Sequence, residues 1–188
     1  MNPTRYVPPA VEPISLAEAK AHLRVDRTDE DTYIQTLISA ARVAAENRLE
    51  RTLINTTWKY VLDKFPDAIP LPMPPIVSVS SVAYTDYSGA TVVLNSADYV
   101  LDRASEPGWI VPGIGKAFPQ SLGINSLTVT YVAGYGASAS EVPAPIRHWI
   151  LLAVGEMYDG SRSISAERPR VPNDFADGLL DPYRLFGV

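Results

Sequence analysis

Asp29-Glu30-Asp31-Thr32-Tyr33-Ile34-Gln35-Thr36-Leu37-Ile38-Ser39-Ala40-Ala41-Arg42-Val43-Ala44-Ala45-Glu46-Asn47-Arg48-Leu49-Glu50-Arg51 contains no Gly or Pro, and its reading decides the fold. Ile34, Leu37, Ile38, Ala41, Ala45 and Leu49 recur at the i, i+3, i+4, i+7 spacing of one helical face. Gln35, Arg42, Glu46 and Glu50 fall elsewhere on the wheel. Thr28 is placed to cap the start, and Asp29, Glu30 and Asp31 put negative charge where the helix dipole favours it. The stretch therefore reads as one amphipathic helix over 29–51, roughly 33 Å long at about 1.5 Å per residue. Ala40, Ala41, Ala44 and Ala45 keep part of it thin, so that another element can approach closely. On this spine the chain mounts a shorter helix pair and a β-rich insertion.

Upstream, Ser15-Leu16-Ala17-Glu18 is a capping box that opens a short helix to about residue 23. Before it, Pro3, Pro8, Pro9 and Pro13 make residues 1–13 an extended arm, either loose or laid on a neighbouring subunit. Downstream the period changes to two: Trp58, Tyr60 and Leu62 share one strand face, Lys59, Val61 and Asp63 the other. Residues 65–75 hold five prolines and read as a stiff connector, neither helix nor central strand. Strands follow at 76–85 and 91–94, joined by the turn residues Asp86-Tyr87-Ser88-Gly89 as a hairpin. Further strands are expected at 98–102, 109–111 and 126–132, with a loop over 113–123. A third helix starts at Pro145 and runs from 146 to 157 or 158. Ile146, Ile150, Val154 and Met157 line one side of it, and Trp149, Leu151, Leu152 and Ala153 widen that side, so it is expected to be buried within the chain or between subunits. Residues 159–174 are polar and Arg- and Ser-rich, a mobile surface loop. The end, with Phe175, Leu179, Leu180, Tyr183, Leu185 and Phe186, either docks on its own domain or anchors a partner.

The fold class is α+β: a small helical core with an inserted antiparallel β-rich subdomain and an extended C-terminal tail. The domain organisation is a single domain over 1–188. It comprises N-terminal helices at 14–53, the β-rich insertion at 56–133, the third helix at 144–159, and a loop and docking tail at 160–188. Ile34, Leu37, Ile38, Ala41, Ile150 and Val154 are the candidate core or subunit-packing residues.

The 188 residues are 46% hydrophobic and 20% charged, which fits a folded core rather than disorder. The absence of cysteine excludes disulfides, thiolate metal sites and cysteine nucleophiles. A net charge of −5 argues against a dedicated nucleic-acid binder. No apolar run is long enough for a membrane span, and the first residues lack the apolar stretch of a signal peptide.

Little in the sequence carries chemistry. His22 and His148 lie far apart and lack metal-ligand spacing; His148, beside Trp149, reads as packed or hydrogen-bonded rather than catalytic. Asp29, Glu30 and Asp31 read as helix-start charge rather than a Mg²⁺ or Ca²⁺ site. Gly113-Ile114-Gly115-Lys116 and Gly134-Tyr135-Gly136 do not follow a phosphate-loop pattern, and no Gly-x-Ser-x-Gly elbow occurs. Arg162, Arg168 and Arg170 are diluted by Glu167 and serines, so a solvated loop is the reading there. No catalytic residue, metal or cofactor is expected.

Taken in order, several pieces carry a family resemblance: Ile14-Ser15-Leu16-Ala17-Glu18-Ala19-Lys20-Ala21-His22-Leu23, then Asp29-Glu30-Asp31 ahead of Leu37-Ile38-Ser39-Ala40-Ala41-Arg42. Pro74-Pro75-Ile76-Val77-Ser78-Val79 and Val82-Ala83-Tyr84-Thr85-Asp86 follow. The set continues with Leu127-Thr128-Val129-Thr130-Tyr131-Val132-Ala133-Gly134-Tyr135-Gly136, Val142-Pro143-Ala144-Pro145-Ile146-Arg147 and Leu179-Leu180-Asp181-Pro182-Tyr183-Arg184. This ordered set resembles the head–tail connector, or adaptor, proteins of long-tailed bacteriophages and gene-transfer particles. The chain departs from the family at Tyr158-Asp159-Gly160-Ser161-Arg162, where members often carry a Tyr-Glu-Asn-Arg-Glu-like stretch.

The resemblance implies a non-enzymatic virion protein of the neck, forming a ring, about twelve-fold, beneath the portal. Such a ring joins head to tail, extends the DNA channel and meets a downstream neck or tail-completion protein. It further implies a portal-docking tail, which by position is Leu179, Leu180, Pro182, Tyr183, Arg184, Leu185 and Phe186. The partners so implied are the portal, the downstream protein and further copies of the chain. DNA passes through without specific binding, past an acidic chain that would repel it, and no membrane is involved. The location implied is the head–tail junction of the virion, after assembly in the host cytoplasm. Two other readings remain: a different neck or tail-completion ring protein, and a soluble enzyme, which would need a nucleophile, base and orienter set. A DNA-binding regulator would need a basic helix, whereas Arg42, Arg48 and Arg51 are balanced by Glu46 and Glu50.

Overall fold

The structure is a computed structural model that describes residues 3–161, 176 and 178–185. The chain divides into a β unit, Met1–Ala10 with Asn55–Tyr135, and a helical unit, Val11–Ile54 with Gly136–Val188. The class is α+β, with antiparallel sheets.

In the helical unit α1 spans Leu16–Leu23 and is opened by the expected capping box. The Ser15 hydroxyl accepts from the Glu18 backbone N–H, and the Glu18 carboxylate accepts from the Ser15 N–H at 2.9 Å. Helix α2 spans Asp31–Leu49, two residues shorter at each end than its sequence pattern. Thr28 does not cap it: Glu30 occupies the cap position, and the Thr28 carbonyl instead accepts from Asp31 N–H in a preceding turn. Ile34, Leu37, Ile38, Ala41, Ala45 and Leu49 are all buried. Helix α3 spans Ala144–Ser161, so 159–161 are helix rather than loop; residues 162–174 lie outside the described residues. Ile146, Ile150, Val154 and Tyr158 form its buried stripe, while Trp149, Leu151, Leu152, Ala153 and Met157 are half-buried. Helix α2 packs against both α1 and α3.

In the β unit, β1 (Thr4–Val7), β2 (Thr56–Leu62), β4 (Ile76–Thr85), β5 (Thr91–Val93) and β8 (Leu127–Ala133) form one sheet in the order β1-β2-β8-β4-β5. Strands β3 (Ile69–Leu71), β6 (Tyr99–Asp102) and β7 (Gly108–Pro112) form a second, ordered β3-β7-β6. The N-terminal segment is therefore no loose arm: Thr4 pairs with Lys59 and Arg5 with Trp58 at the sheet edge. Arg5 lies over the Trp58 ring and Lys59 over the Tyr6 ring, contacts that hold so short a strand. The proline-rich connector likewise contains a strand. Pro70 sits in β3, an edge strand, where its missing N–H is tolerated.

One apolar cluster joins the two sheets, with Trp58, Tyr60, Ile69, Leu71, Val82, Ile110, Leu127, Val129 and Tyr131 among its members. The Tyr131 hydroxyl donates to the Pro72 carbonyl at 2.7 Å, so its burial leaves no unpaired polar atom. Gly108 lies where a Cβ would sit 2.8 Å from Ile76 Cγ1 and 2.9 Å from the Asp102 carbonyl, a close approach that excludes larger residues.

Candidate functional site

The C-terminal segment is built onto the end of α2 within the helical unit. Arg51 Nε donates to the Tyr183 carbonyl at 2.5 Å, and the Leu185 N–H donates to the Leu49 carbonyl at 3.3 Å. Residues Asp181–Tyr183 form a single 3-10 turn, with Pro182 in the first turn where no N–H is needed. Leu180 is fully buried, Leu179, Tyr183 and Leu185 are half-buried, and Pro182 and Arg184 are exposed. Of the seven tail residues singled out from sequence, Leu180 thus belongs to the packing of its own unit. Phe186 lies outside the described residues. The six helix residues Ile34, Leu37, Ile38, Ala41, Ile150 and Val154 are 0–8% exposed within this single chain.

Sequence reading missed a charged cluster next to that segment's seat. Arg42 and Glu46 sit roughly 80° and 120° round the wheel from Ile34, at the border of the apolar stripe. Both are buried. Arg42 Nε and Nη2 donate to the two carboxylate oxygens of Glu12, at 2.6 and 3.3 Å, and its Nη1 donates to Glu46 at 2.9 Å. The other Glu46 oxygen accepts from the Leu53 N–H at 3.1 Å, and the Ser39 hydroxyl donates to Glu12 at 2.6 Å. Burial disfavours the Arg42 charge, but the hydrogen bonds and charges of Glu12 and Glu46 outweigh it and raise its pKa. The cluster thereby ties the chain before α1 and the chain after α2 to the middle of α2. The one available signal was the Arg42/Glu46 i,i+4 spacing on a border position.

The acidic run at the start of α2 is structural. Asp31 pairs with Lys20 at 2.6 Å, Glu30 with Arg27 at 3.1 Å, and the Tyr158 hydroxyl donates to Glu30. Among the described residues no group of His, Asp and Glu could hold a metal ion, and no helix is long and apolar enough to cross a membrane. His148 is exposed on α3 rather than packed, and His22 is exposed on α1. An open cleft of about 480 Å³ in the β unit is lined by Lys64, Phe65, Tyr87, Lys116, Phe118 and Ser121 among others. Its Lys116 pairs with Asp98 at 2.5 Å.

Residues 13–102 match the sequence profile of the phage gp6-like head-tail connector proteins. Over that stretch the chain resembles head–tail connectors. In fold, the chain is similar over 100% of its length to 97% of a chain in the virion of a native gene transfer agent (GTA) particle, at 20% identity and a TM-score of 0.82. It is equally similar in extent to a chain in the neck of an empty GTA particle computed with C6 symmetry (21% identity, TM-score 0.81). A third match is to a chain in the neck of a native GTA particle computed with C12 symmetry (22% identity, TM-score 0.77). No curated protein sequence matches the chain.

Proposed function

We propose that this connector-like chain is a structural protein of the virion neck, a ring component at the head–tail junction that joins the head to the tail and extends the DNA channel. The observation that carries the reading is the head-tail connector profile over 13–102. Fold likeness along the whole chain to neck chains of particles computed with C6 and C12 symmetry supports it. The role is assembly rather than catalysis.

The ring's partner on the head side is the portal, and the segment that reaches it is the C-terminal one. Support comes from its construction: Leu179, Pro182, Tyr183, Arg184 and Leu185 are half-buried or exposed, and two backbone-directed hydrogen bonds latch the segment to the end of α2. Tyr183 beside Arg184 brings together two of the residue types that concentrate energy at interfaces. Leu180 is buried in its own unit, so it holds the base of the segment rather than serving as an anchor. On the tail side the ring meets a downstream neck or tail-completion protein. DNA passes through the channel without specific binding, past a chain of net charge −5.

The test is the solution mass of the full chain and of a version ending at Asp174, each alone and mixed with the portal. Joining by the full chain and not by the shortened one establishes the tail as the anchor. If both stay single subunits with the portal present, the portal assignment is lost and a neck position further from the head takes its place.

A further inference from the structure

Strand β1 is seated on one unit and carried by the other. Its residues Thr4–Val7 pair with the edge of β2 and belong, with the rest of 1–10, to the β unit, whereas the chain from Val11 runs in the helical unit. Within that unit the chain is fixed at once. Glu12 accepts from Arg42 Nε and from the Ser39 hydroxyl, each at 2.6 Å, the Pro13 carbonyl accepts from Arg147 Nε at 3.0 Å, and Ile14 is buried. Pro8-Pro9-Ala10-Val11 is all that lies between the seated strand and this anchor. Two prolines make the connection stiff and four residues make it short, the kind of hinge that favours exchange of the element it carries. The strand is also light to lift. It has four residues, three of them exposed, and its register shifts between Arg5 and Val7, which interrupts the ladder.

The seat specifies what fills it. Trp58, 6% exposed, has the Arg5 guanidinium over its ring, Lys59 lies over the Tyr6 ring, and the Thr4 hydroxyl donates to the Lys59 carbonyl at 3.3 Å. The occupant is an extended strand with Thr, Arg and Tyr in that order and register, which residues 4–7 of this chain supply. We propose that neighbouring copies exchange β1 in the ring: Thr4–Val7 of each copy leaves its own β2 and pairs, in the same register, with β2 of the next copy. The proposal rests on the ring reading given above and names a contact between its copies. Exchange remakes every hydrogen bond and cation–π contact that it breaks, so the short connection and the nearness of the next seat decide it. Neighbours held side by side in a ring present their seats at high effective concentration. Arg5 is the only charged residue in 1–11, so the arm brings positive charge to a neighbour of net charge −5. Each copy gives its strand to one neighbour and receives one from the other, a head-to-tail contact of the kind that closes into a ring.

The experiment exploits the absence of cysteine from the chain. Thr4→Cys/Lys59→Cys and Val7→Cys/Thr57→Cys each place two thiols at opposed ladder positions, where Cα atoms about 4.5–5.5 Å apart suit a disulfide. The second pair leaves Arg5, Tyr6, Trp58 and Lys59 in place. Rings of each variant, formed with the portal and verified by native mass, are oxidised mildly, denatured without reductant and separated by mass. Exchange gives a ladder of covalent multimers that extends beyond two chains and collapses to single chains with reductant. A variant with one cysteine of a pair links no more than two chains. Intact rings that yield only internally bridged single chains from both pairs overturn the proposal and leave the ring reading standing. Intact rings whose thiols all remain free overturn it too, because β1 then pairs with neither β2. A wild-type chain that stays a single subunit with the portal present removes the ring reading and the proposal together.

Discussion

The two units bury their interiors differently. The β unit closes two sheets over an apolar cluster, and the polar atom of its largest fully buried residue, Tyr131, is answered by one carbonyl. The helical unit buries Arg42 and Glu46, with Glu12 alongside, inside a helix surface that is otherwise apolar. The difference follows from backbone supply. Antiparallel ladders satisfy their own N–H and C=O groups, whereas the chain entering α1 and leaving α2 is irregular and needs side chains to hold it. A charged trio placed on the middle of α2 serves both of those segments at once.

The largest expected effect tests whether the trio holds the helical unit together. Glu46→Ala leaves Arg42 under-compensated and the Leu53 N–H unanswered, and costs about 3–5 kcal/mol in denaturant unfolding followed by helical circular dichroism. Replacing the pair together, Arg42→Met with Glu46→Leu, recovers much of that loss, because the two buried charges leave together and only the partly exposed Glu12, still bonded by the Ser39 hydroxyl, loses its ion pair. A double variant as unstable as the single one would show that the trio's worth lies in fixing Glu12 and Leu53, not in charge balance.

Leu127→Ala probes the apolar side of the comparison and costs about 2–4 kcal/mol through lost burial and a residual cavity. Were it to exceed the Glu46→Ala loss, the contrast between the units would reverse. Gly108→Ala forces a Cβ to within 2.8 Å of Ile76 and 2.9 Å of the Asp102 carbonyl, and is expected to cost about 1–3 kcal/mol as the strand shifts. The thermal midpoint of each variant reads this order directly.

The smallest effect sits at the surface of the helical unit. Ser15→Ala removes the N-cap hydroxyl and costs about 1 kcal/mol. It also alters the acid limb of stability. Hydrogen bonds from the Ser15 N–H and hydroxyl, aided by Arg147, hold the Glu18 carboxyl below its usual 4.5. With the folded value below the unfolded one, Glu18's contribution is complete above about pH 4.5 and is lost as pH falls through the folded value. Midpoints measured from neutral to acid pH therefore converge for wild type and Ser15→Ala; parallel curves would deny Glu18 that role.

Periodicity and capping chemistry were enough to place α1, the buried face of α2, the buried side of α3 and the β4–β5 hairpin, because each depends on neighbours in sequence. The resemblance to head–tail connectors was likewise legible in the order of short motifs. Tertiary structure decided the rest. Residues 4–7 and 69–71 became strands because a sheet edge was there to pair with, which no local pattern reveals. Arg42 and Glu46 went inside because segments distant in sequence, around Glu12 and Leu53, cover the border of the α2 stripe. Leu180 was taken into its own unit while Ile114 and Ile124 were left in solvent, although all three are equally apolar. Hydrophobicity fixes the tendency to be buried, but only the packed chain determines which surface is present to bury it.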